Sequence, residues 1–194
     1  MNTETLAHPA STIDAGTIWE IDPTHSTVGF SIRHLMIASV HGHFDGFRGE
    51  IRFNGDRPAQ VDAQIDAATI DTGISKRDDH LRSADFFDVV RYPTIAFHST
   101  SIQQINSGGR NRWLVDGDLT MHGVTRTVEL TVEQTSPANQ ADISIIAFHA
   151  TASLNRKDFG MAFNLPVEGG GIVVGDEVKI TLDIQAQRAP VERR

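Results

Sequence analysis

The residues most able to do chemistry stand in one stretch, KRDDHLRSADFFD, which runs from Lys76 to Asp88. A histidine beside a carboxylate, here His80 with Asp78, could act as a general base in an enzyme. Alternatively, several of these side chains could orient the polar headgroup of a ligand. The candidates for that role are Arg77, Asp78, His80, Arg82 and Asp85. In a third interpretation they pair with one another and with backbone groups, and so fix a helical segment to the rest of the fold.

The mixture of charges favours this third, structural interpretation. Acidic and basic side chains lie close together in the stretch and suit a network in which neighbours satisfy each other. A catalytic carboxylate usually needs a desolvated setting instead. We therefore predict no catalytic residue and no enzymatic activity, with headgroup contact as the alternative role.

Other patterns typical of catalysis or metal binding are weak. His41 and His43 are two residues apart on a predicted strand, so they would face the same side and could bind a metal. No carboxylate partner is evident from the spacing, so solvent-facing histidines are the favoured interpretation and no metal site is predicted. The sequence has no Gly-x-Ser-x-Gly motif, and the glycines at 169–171 follow no strand-to-helix pattern that would form a phosphate-binding loop.

The elements that must position these residues are β-strands. Val28, Phe30 and Ile32 alternate with small or polar residues, which is the period of two expected for a strand with one buried face. The same alternation recurs along the chain and predicts eight long strands. They cover residues 18–35, 40–54, 59–70, 93–105, 112–121, 124–136, 142–154 and 176–187.

The length of these strands favours a closed, all-β antiparallel barrel. An open sheet of such long strands would expose its edges, and an eight-stranded barrel can be wide enough to hold one ligand. A β-sandwich is the competing architecture, although its strands are generally shorter. The apolar positions change parity between Phe44 and Phe47, which predicts a sharp bend at Asp45 and Gly46.

One short helical insertion is predicted at about residues 73–90. Thr72 can cap its first turn, and Asp78 and Arg82 stand at i,i+4. Ser83 offers an N-cap for a second short helix. Further along, a charged loop at residues 155–158 could close one end of the barrel.

Composition limits the remaining possibilities. The chain has 194 residues, a formal net charge of −8 and no cysteine, which favours one domain without disulfides and disfavours nucleic acid as a partner. No apolar run approaches the roughly 20 residues of a membrane-spanning helix. We expect a flexible extension at 1–17, one domain at 18–188 and a disordered tail at 189–194. The amino terminus does not resemble a signal peptide, so a cytoplasmic location is expected, or a periplasmic one if the terminus was trimmed.

Several separated stretches resemble the YceI-like family of bacterial proteins with a lipocalin-like barrel. They include WEIDPTHSTVGFSIRHL, HGHFDGFRGEI and, most specifically, TIDTGISKRDDHLRSADFFDVVRYPTIAFHST. Shorter matches are VDGDLTMHGVTRTVEL, LNRKDFGM and VGDEVKITLDI. The resemblance extends from Trp19 to Gln187 and implies an extended eight-stranded barrel with a helical insertion.

The resemblance also implies what the barrel holds. Its apolar interior would bind, store or transport a long lipid, namely a polyisoprenoid, a polyprenyl quinone or a fatty acid derivative, with no other cofactor. The residues expected to form the wall of this lipid tunnel are Val28, Phe30, Ile32, Phe44, Val61, Ile65, Phe86, Phe87, Phe97, Met121, Phe159, Met161 and Phe163. Each could instead be plain core.

Two alternatives to lipid binding stay open at this point. One is an enzyme that acts on an isoprenoid or small amphiphile through His80 and its acidic neighbours. The other is an interaction module whose barrel is filled by its own side chains. A homodimer is the default expectation for assembly.

Overall fold

The computed structural model describes residues 16–35, 37–105, 111–136, 144–165 and 173–189, which form an antiparallel β-barrel. The strands are β1 (Thr17–Ile21), β2 (Thr27–His34), β3 (Ala38–Phe44), β4 (Phe47–Asn54), β5 (Arg57–Asp66), β6 (Ile70–Asp71), β7 (Thr94–Gln104), β8 (Arg112–Met121), β9 (Val124–Gln134), β10 (Ile145–Asn155) and β11 (Val174–Arg188). Within these residues, one helix, α1 (Ser75–Arg82), and three short 3-10 turns interrupt the strands. The glycines at 169–171 and most of both predicted terminal segments lie outside the described residues.

The barrel is closed by eight strands, as predicted. Its ring runs β1-β4-β5-β7-β8-β9-β10-β11 and returns to β1. The closing contact pairs Trp19 with Arg188 and Ile21 with Ala186, and every pairing in the sheet is antiparallel. Closure leaves no free edge in the ring, which explains why a barrel forms here and not an open sheet.

The longest strand, β11, joins the ring to an extension of the wall. Its 15 residues pair with β10 along one side and with both β1 and β2 along the other. The β2-β3 hairpin and the short β6 continue the wall from there. One end of the barrel is therefore a complete ring, and the other end, which we call the mouth, is bordered by the hairpin and by α1.

The predicted bend between Phe44 and Phe47 is confirmed. Strand β3 ends at Phe44 and β4 begins at Phe47, so one long segment pairs first with β2 and then with β1. The backbone N–H of Gly46 donates to Thr69 Oγ1 over 2.9 Å. A Cβ atom at position 46 would lie 2.8 Å from Thr69 Cγ2, so this close approach requires glycine.

Two breaks in predicted strands were not anticipated. A 3-10 turn at Pro23–His25 divides β1 from β2, and another at Ala67–Thr69 ends β5 early. In both places an aspartate, Asp22 or Asp66, accepts a hydrogen bond from the backbone N–H two residues later. Such local bonds compete with the ladder, and Pro23 has no N–H to donate to it.

The helical insertion is shorter than predicted. Helix α1 starts after Ile74, which makes no side-chain capping bond, so the predicted Thr72 cap is wrong. The second helix does not form either, because residues 83–91 fold into hydrogen-bonded turns and Asp88 adopts a left-handed φ of 46°. Phe87 N–H donates back to Leu81 O over 3.0 Å, which folds the chain against the end of α1.

Two hydrophobic clusters form the core of the barrel. One lies toward the complete ring and is built on Trp113, Phe53, Phe148 and Ala186. The other lies toward the mouth, where Leu81 and Phe87 from the insertion pack against the strands. Between and beside these clusters the interior is open.

Candidate functional site

The barrel encloses an elongated apolar cavity of about 440 Å³. Strand β11 contributes inward side chains to its wall from Val174 to Ile184. Ten residue steps at about 3.3 Å correspond to roughly 33 Å of strand, and somewhat less along the axis because barrel strands are tilted. The volume falls within the usual range for small-molecule sites, and the shape is that of a narrow tunnel.

The structure places nearly all the predicted wall residues around this cavity. They are Val28, Phe30, Ile32, Phe44, Val61, Ile65, Phe86, Phe87, Phe97, Met121, Met161 and Phe163. Phe159 is the exception, because it is only 1% exposed and packs in the core outside the wall. Its carbonyl accepts a hydrogen bond from His122 Nδ1 over 2.9 Å. Ligand contact by the other residues stays a prediction.

Many further wall residues come from the second half of the chain. They share the inward parity of their strands and include Val115, Leu119, Val128, Leu130, Ala152, Leu154, Val178, Ile180, Leu182 and Ile184. The alternation in β8 to β11 would have identified them, because inward positions follow the same period of two as in β2. The tunnel is thus lined from all sides.

Three aromatic side chains cluster at the mouth, where α1 meets the segment after β10. The His80 ring centroid lies 5.1 Å from that of Phe86 and 4.9 Å from that of Phe163, in edge-on contacts. The Phe86 and Phe163 centroids are 5.4 Å apart. These three side chains all line the cavity, so they form an aromatic collar around its polar end.

The charged residues of α1 are held in place individually. Asp78, 5% exposed, accepts hydrogen bonds from Thr72 N at 3.0 Å and Thr72 Oγ1 at 2.5 Å. His80 Nε2 donates to Asp85 Oδ2 over 2.8 Å. The hypothetical general-base pair of His80 with Asp78 is therefore absent, and the partner of His80 is Asp85.

The predicted headgroup residues divide into two groups. Arg77 and His80 lie in the cavity wall, whereas Asp78, Arg82 and Asp85 do not. Arg82 instead donates to the carbonyl oxygens of Ala68 and Ile70, both at 2.7 Å, and pairs with Asp79 at 3.2 Å. The expected pair of Arg82 with Asp78 does not form, since backbone carbonyls are nearer to the guanidinium.

A buried arginine from the charged loop predicted at residues 155–158 also borders the cavity. Arg156 is only 3% exposed and donates to the carbonyls of Met161, Phe163 and Gly175 at 2.5 to 2.9 Å. Burial lowers the pKa of its guanidinium, and the carboxylate of Asp176, 3.4 Å away, acts in the opposite direction. The turn at Arg156–Phe159 ends at Gly160, whose φ of 79° favours glycine.

On the outer surface, His43 has carboxylate partners that the spacing did not reveal. Its Nε2 lies 3.1 Å from Asp45 Oδ1, and β3-β6 pairing brings Asp71 opposite it. Ligand atoms of these three residues lie within 4.8 Å of one another. His43 and Asp45 are exposed and Asp71 already accepts a bond from Gly73 N, so we assign no metal here.

A closed antiparallel barrel with an apolar interior cavity is the structural class to which this chain belongs. Within that class, the model of the YceI-like domain family matches residues 19–186, and the chain belongs to the YceI-like family. In the part of the chain that the structure describes, no helix has the length and apolarity needed to cross a membrane.

Curated relatives and solved structures agree with this assignment. The UPF0312 protein plu2095 of Photorhabdus laumondii is 32% identical over 163 residues, which cover 82% of this chain and 83% of the relative. The UPF0312 protein SA2479 of Staphylococcus aureus is 32% identical over 171 residues, covering 84% of this chain and 93% of the relative.

Two solved structures share the fold. BcnA of Burkholderia cenocepacia is 25% identical, with a TM-score of 0.71 over 86% of this chain and 99% of that one. A polyisoprenoid-binding domain from Saccharophagus degradans is 15% identical, with a TM-score of 0.68 over 88% of this chain and 98% of that one. The second likeness concerns the fold alone.

Proposed function

We propose that this protein binds one long-chain lipid, such as a polyisoprenoid, a polyprenyl quinone or a fatty acid derivative, and stores or carries it inside the barrel. The observation that carries the proposal is the apolar tunnel of about 440 Å³ in the centre of the fold. Protein interiors are normally packed to the density of organic crystals, so an open apolar tunnel forgoes many core contacts. A ligand of matching shape would restore them.

The chemistry of the wall favours a chain over a compact polar ligand. Wall residues contributed by β2, β5, β8, β9, β10 and β11 are mostly aliphatic or aromatic, and polar side chains concentrate at the mouth. The Saccharophagus degradans domain, which shares the fold, carries the name of a polyisoprenoid-binding domain. That name supports the proposal without identifying the ligand of this chain.

Energetics predict modest selectivity for chain length. Each buried CH₂ contributes about 0.8 kcal/mol, so a five-carbon isoprene unit could contribute roughly 3 to 4 kcal/mol as an upper limit. Non-covalent binding saturates near about −18 to −21 kcal/mol, and ordering the chain subtracts from it. A few units therefore suffice, and discrimination falls to the polar end.

Native mass spectrometry of the purified protein, followed by organic extraction, tests the proposal. A defined adduct whose extracted mass matches a polyprenyl or long acyl lipid is the expected result. A ligand-free mass that does not change after incubation with polyprenyl quinone, polyprenol or long-chain fatty acid would contradict the proposal. That outcome would favour the interaction-module alternative.

A further inference from the structure

The charged residues of the cavity wall are all basic. The chain as a whole is acidic, with 25 Asp and Glu against 17 Lys and Arg. Even so, none of the wall residues in the described part of the chain carries a carboxylate. The ionisable residues that border the tunnel are Arg33, His34, Arg48, Arg77, His80 and Arg156. A cationic headgroup would find no counter-charge in this wall.

Four of these six side chains are not available to a ligand. The Arg156 guanidinium is occupied by backbone carbonyls and Asp176. Arg48 has the outward parity of β4 and donates to Gln64 Oε1 over 2.5 Å. Arg33 likewise has the outward parity of β2 and is exposed. His80 uses Nε2 on Asp85.

Arg77 differs because its side chain is oriented but not saturated. Its Nε donates to Thr72 Oγ1 and its Nη2 donates to Thr72 O, both over 2.7 Å. Its Nη1 has no hydrogen-bond partner among the residues described by the structure. A guanidinium has five N–H donors and no acceptor, so several donors remain for a ligand in the tunnel.

The orientation of Arg77 depends on a relay through Thr72 to a buried carboxylate. The Thr72 hydroxyl has one hydrogen, and at 2.5 Å from Asp78 Oδ1 it donates that hydrogen to the carboxylate. Its lone pairs are then free to accept from Arg77 Nε. Asp78 also accepts a hydrogen bond from Thr72 N, so the Thr72 hydroxyl and carbonyl that hold Arg77 are themselves fixed. Such preorganisation lowers the entropic cost of binding a headgroup.

We infer that the lipid bound in the tunnel ends in an anionic oxygen group, a carboxylate or a phosphate, which accepts hydrogen bonds from Nη1 of Arg77. The inference rests on the proposed function and adds the headgroup class to it. An amine lacks a partner in the wall, and an alcohol or quinone carbonyl would form only neutral-acceptor bonds. Hydrogen bonds between ionised partners are roughly twice as strong as neutral ones.

The test compares ligands that share a chain and differ only in the headgroup. One pair is palmitic acid with cetyl alcohol, and the other is geranylgeranyl phosphate with geranylgeraniol. Equilibrium binding of each is measured to the unaltered protein, to Arg77→Gln and to Arg91→Gln. Arg91→Gln is the matched control, because Arg91 is exposed and lies outside the wall.

The unaltered protein and Arg91→Gln should bind the anionic member of at least one pair about ten to a hundred times more tightly than the alcohol. Arg77→Gln should lose this preference but bind the alcohol as before, which shows that the variant is folded. The pair with the larger Arg77-dependent preference identifies the source of the anion as acyl or prenyl.

Equal binding of acid and alcohol, or a preference that survives in Arg77→Gln, would overturn the headgroup inference and leave the proposed function standing. Failure of all four ligands to bind the unaltered protein would overturn both. Arg77→Lys gives a further check, because it keeps the charge without the fork that Thr72 holds. It should retain only part of the preference.

Discussion

The Nη1 atom of Arg156 lies 2.9 Å from the carbonyl oxygen of Phe163, so a buried cation holds the segment that brings an aromatic ring to the mouth of the tunnel. The same guanidinium bonds to the carbonyls of Met161, in the segment between β10 and β11, and of Gly175, in β11 itself. These hydrogen bonds from Arg156 take the place of strand pairing where the backbone between β10 and β11 is irregular. This explains why a charge is tolerated at 3% exposure.

Arg156→Leu should therefore destabilise the protein strongly. The substitution leaves one buried and two partly buried carbonyl groups without their donor, and the expected loss is about 3 to 5 kcal/mol of the free energy of unfolding. Chemical denaturation monitored by tryptophan fluorescence measures it. Lys157→Leu is the matched control, since Lys157 pairs with the same Asp176 but is 45% exposed. Its loss should stay below about 1 kcal/mol, and equal losses in both variants would contradict the assigned role of Arg156.

Ala152→Phe should block the tunnel without unfolding the barrel. Ala152 lies in the wall, so a phenyl group there occupies space that a chain would use, and it also fills part of a void. Affinity for long-chain lipids should fall about tenfold or more, measured by titration and by adduct mass. Thr151→Phe adds the same ring one step along β10, on the exposed outer face, and should bind as the unaltered protein does. Unchanged binding by Ala152→Phe would place the lipid elsewhere.

The closed barrel and much of its wall could be predicted because strand alternation is a local property. A side chain's parity in β2 or β10 determines whether it faces the tunnel, and that parity is visible in the sequence. The bend at Asp45 and Gly46 was visible for the same reason, as a change of parity.

What could not be predicted depends on contacts between distant residues or on competing local bonds. Asp22 and Asp66 break strands because each bonds a nearby backbone N–H, which alternation does not reveal. Arg156 looks like a surface residue until β11 brings Gly175 and Asp176 against it. The partner of His80 depends on a turn that returns Asp85 to α1, whereas closeness in the sequence suggested Asp78.

Acid should weaken the fold partly through Asp22. Hydrogen bonds from His25 and from the backbone N–H of Thr24 hold the pKa of its carboxyl below the ordinary value of 3.8. The unfolded chain therefore takes up a proton at higher pH than the folded one, and stability rises with pH in that interval. The contribution of Asp22 is complete above the ordinary pKa and disappears as the pH falls through the lowered one.

Asp22→Asn should consequently show a shallower loss of unfolding free energy below about pH 4 than the unaltered protein. Urea denaturation across a series of acidic buffers measures this slope. Asp56→Asn, in the exposed turn between β4 and β5, provides a control for the loss of one charge. Parallel curves for the unaltered protein and Asp22→Asn would show that the hydrogen bonds of Asp22 contribute nothing to the pH dependence.

Substitutions at Phe163 and Phe159 should separate the effect on lipid retention from the effect on stability. Phe163 belongs to the aromatic collar and lines the cavity, whereas Phe159 is 1% exposed, does not line the cavity and packs in the core cluster behind its wall. Removing the Phe163 ring widens the mouth, so Phe163→Ala should release bound lipid about tenfold faster with only a small loss of stability. Phe159→Ala leaves a cavity in the core and should cost about 3 to 5 kcal/mol of unfolding free energy, but in the folded protein its lipid release rate should match that of the unaltered protein.

Stopped-flow transfer of a fluorescent long-chain lipid to acceptor vesicles measures the release rate, and thermal denaturation measures the stability. If Phe159→Ala released lipid as fast as Phe163→Ala, the exit would not lie at the collar, and the direction of the tunnel would have to be reversed.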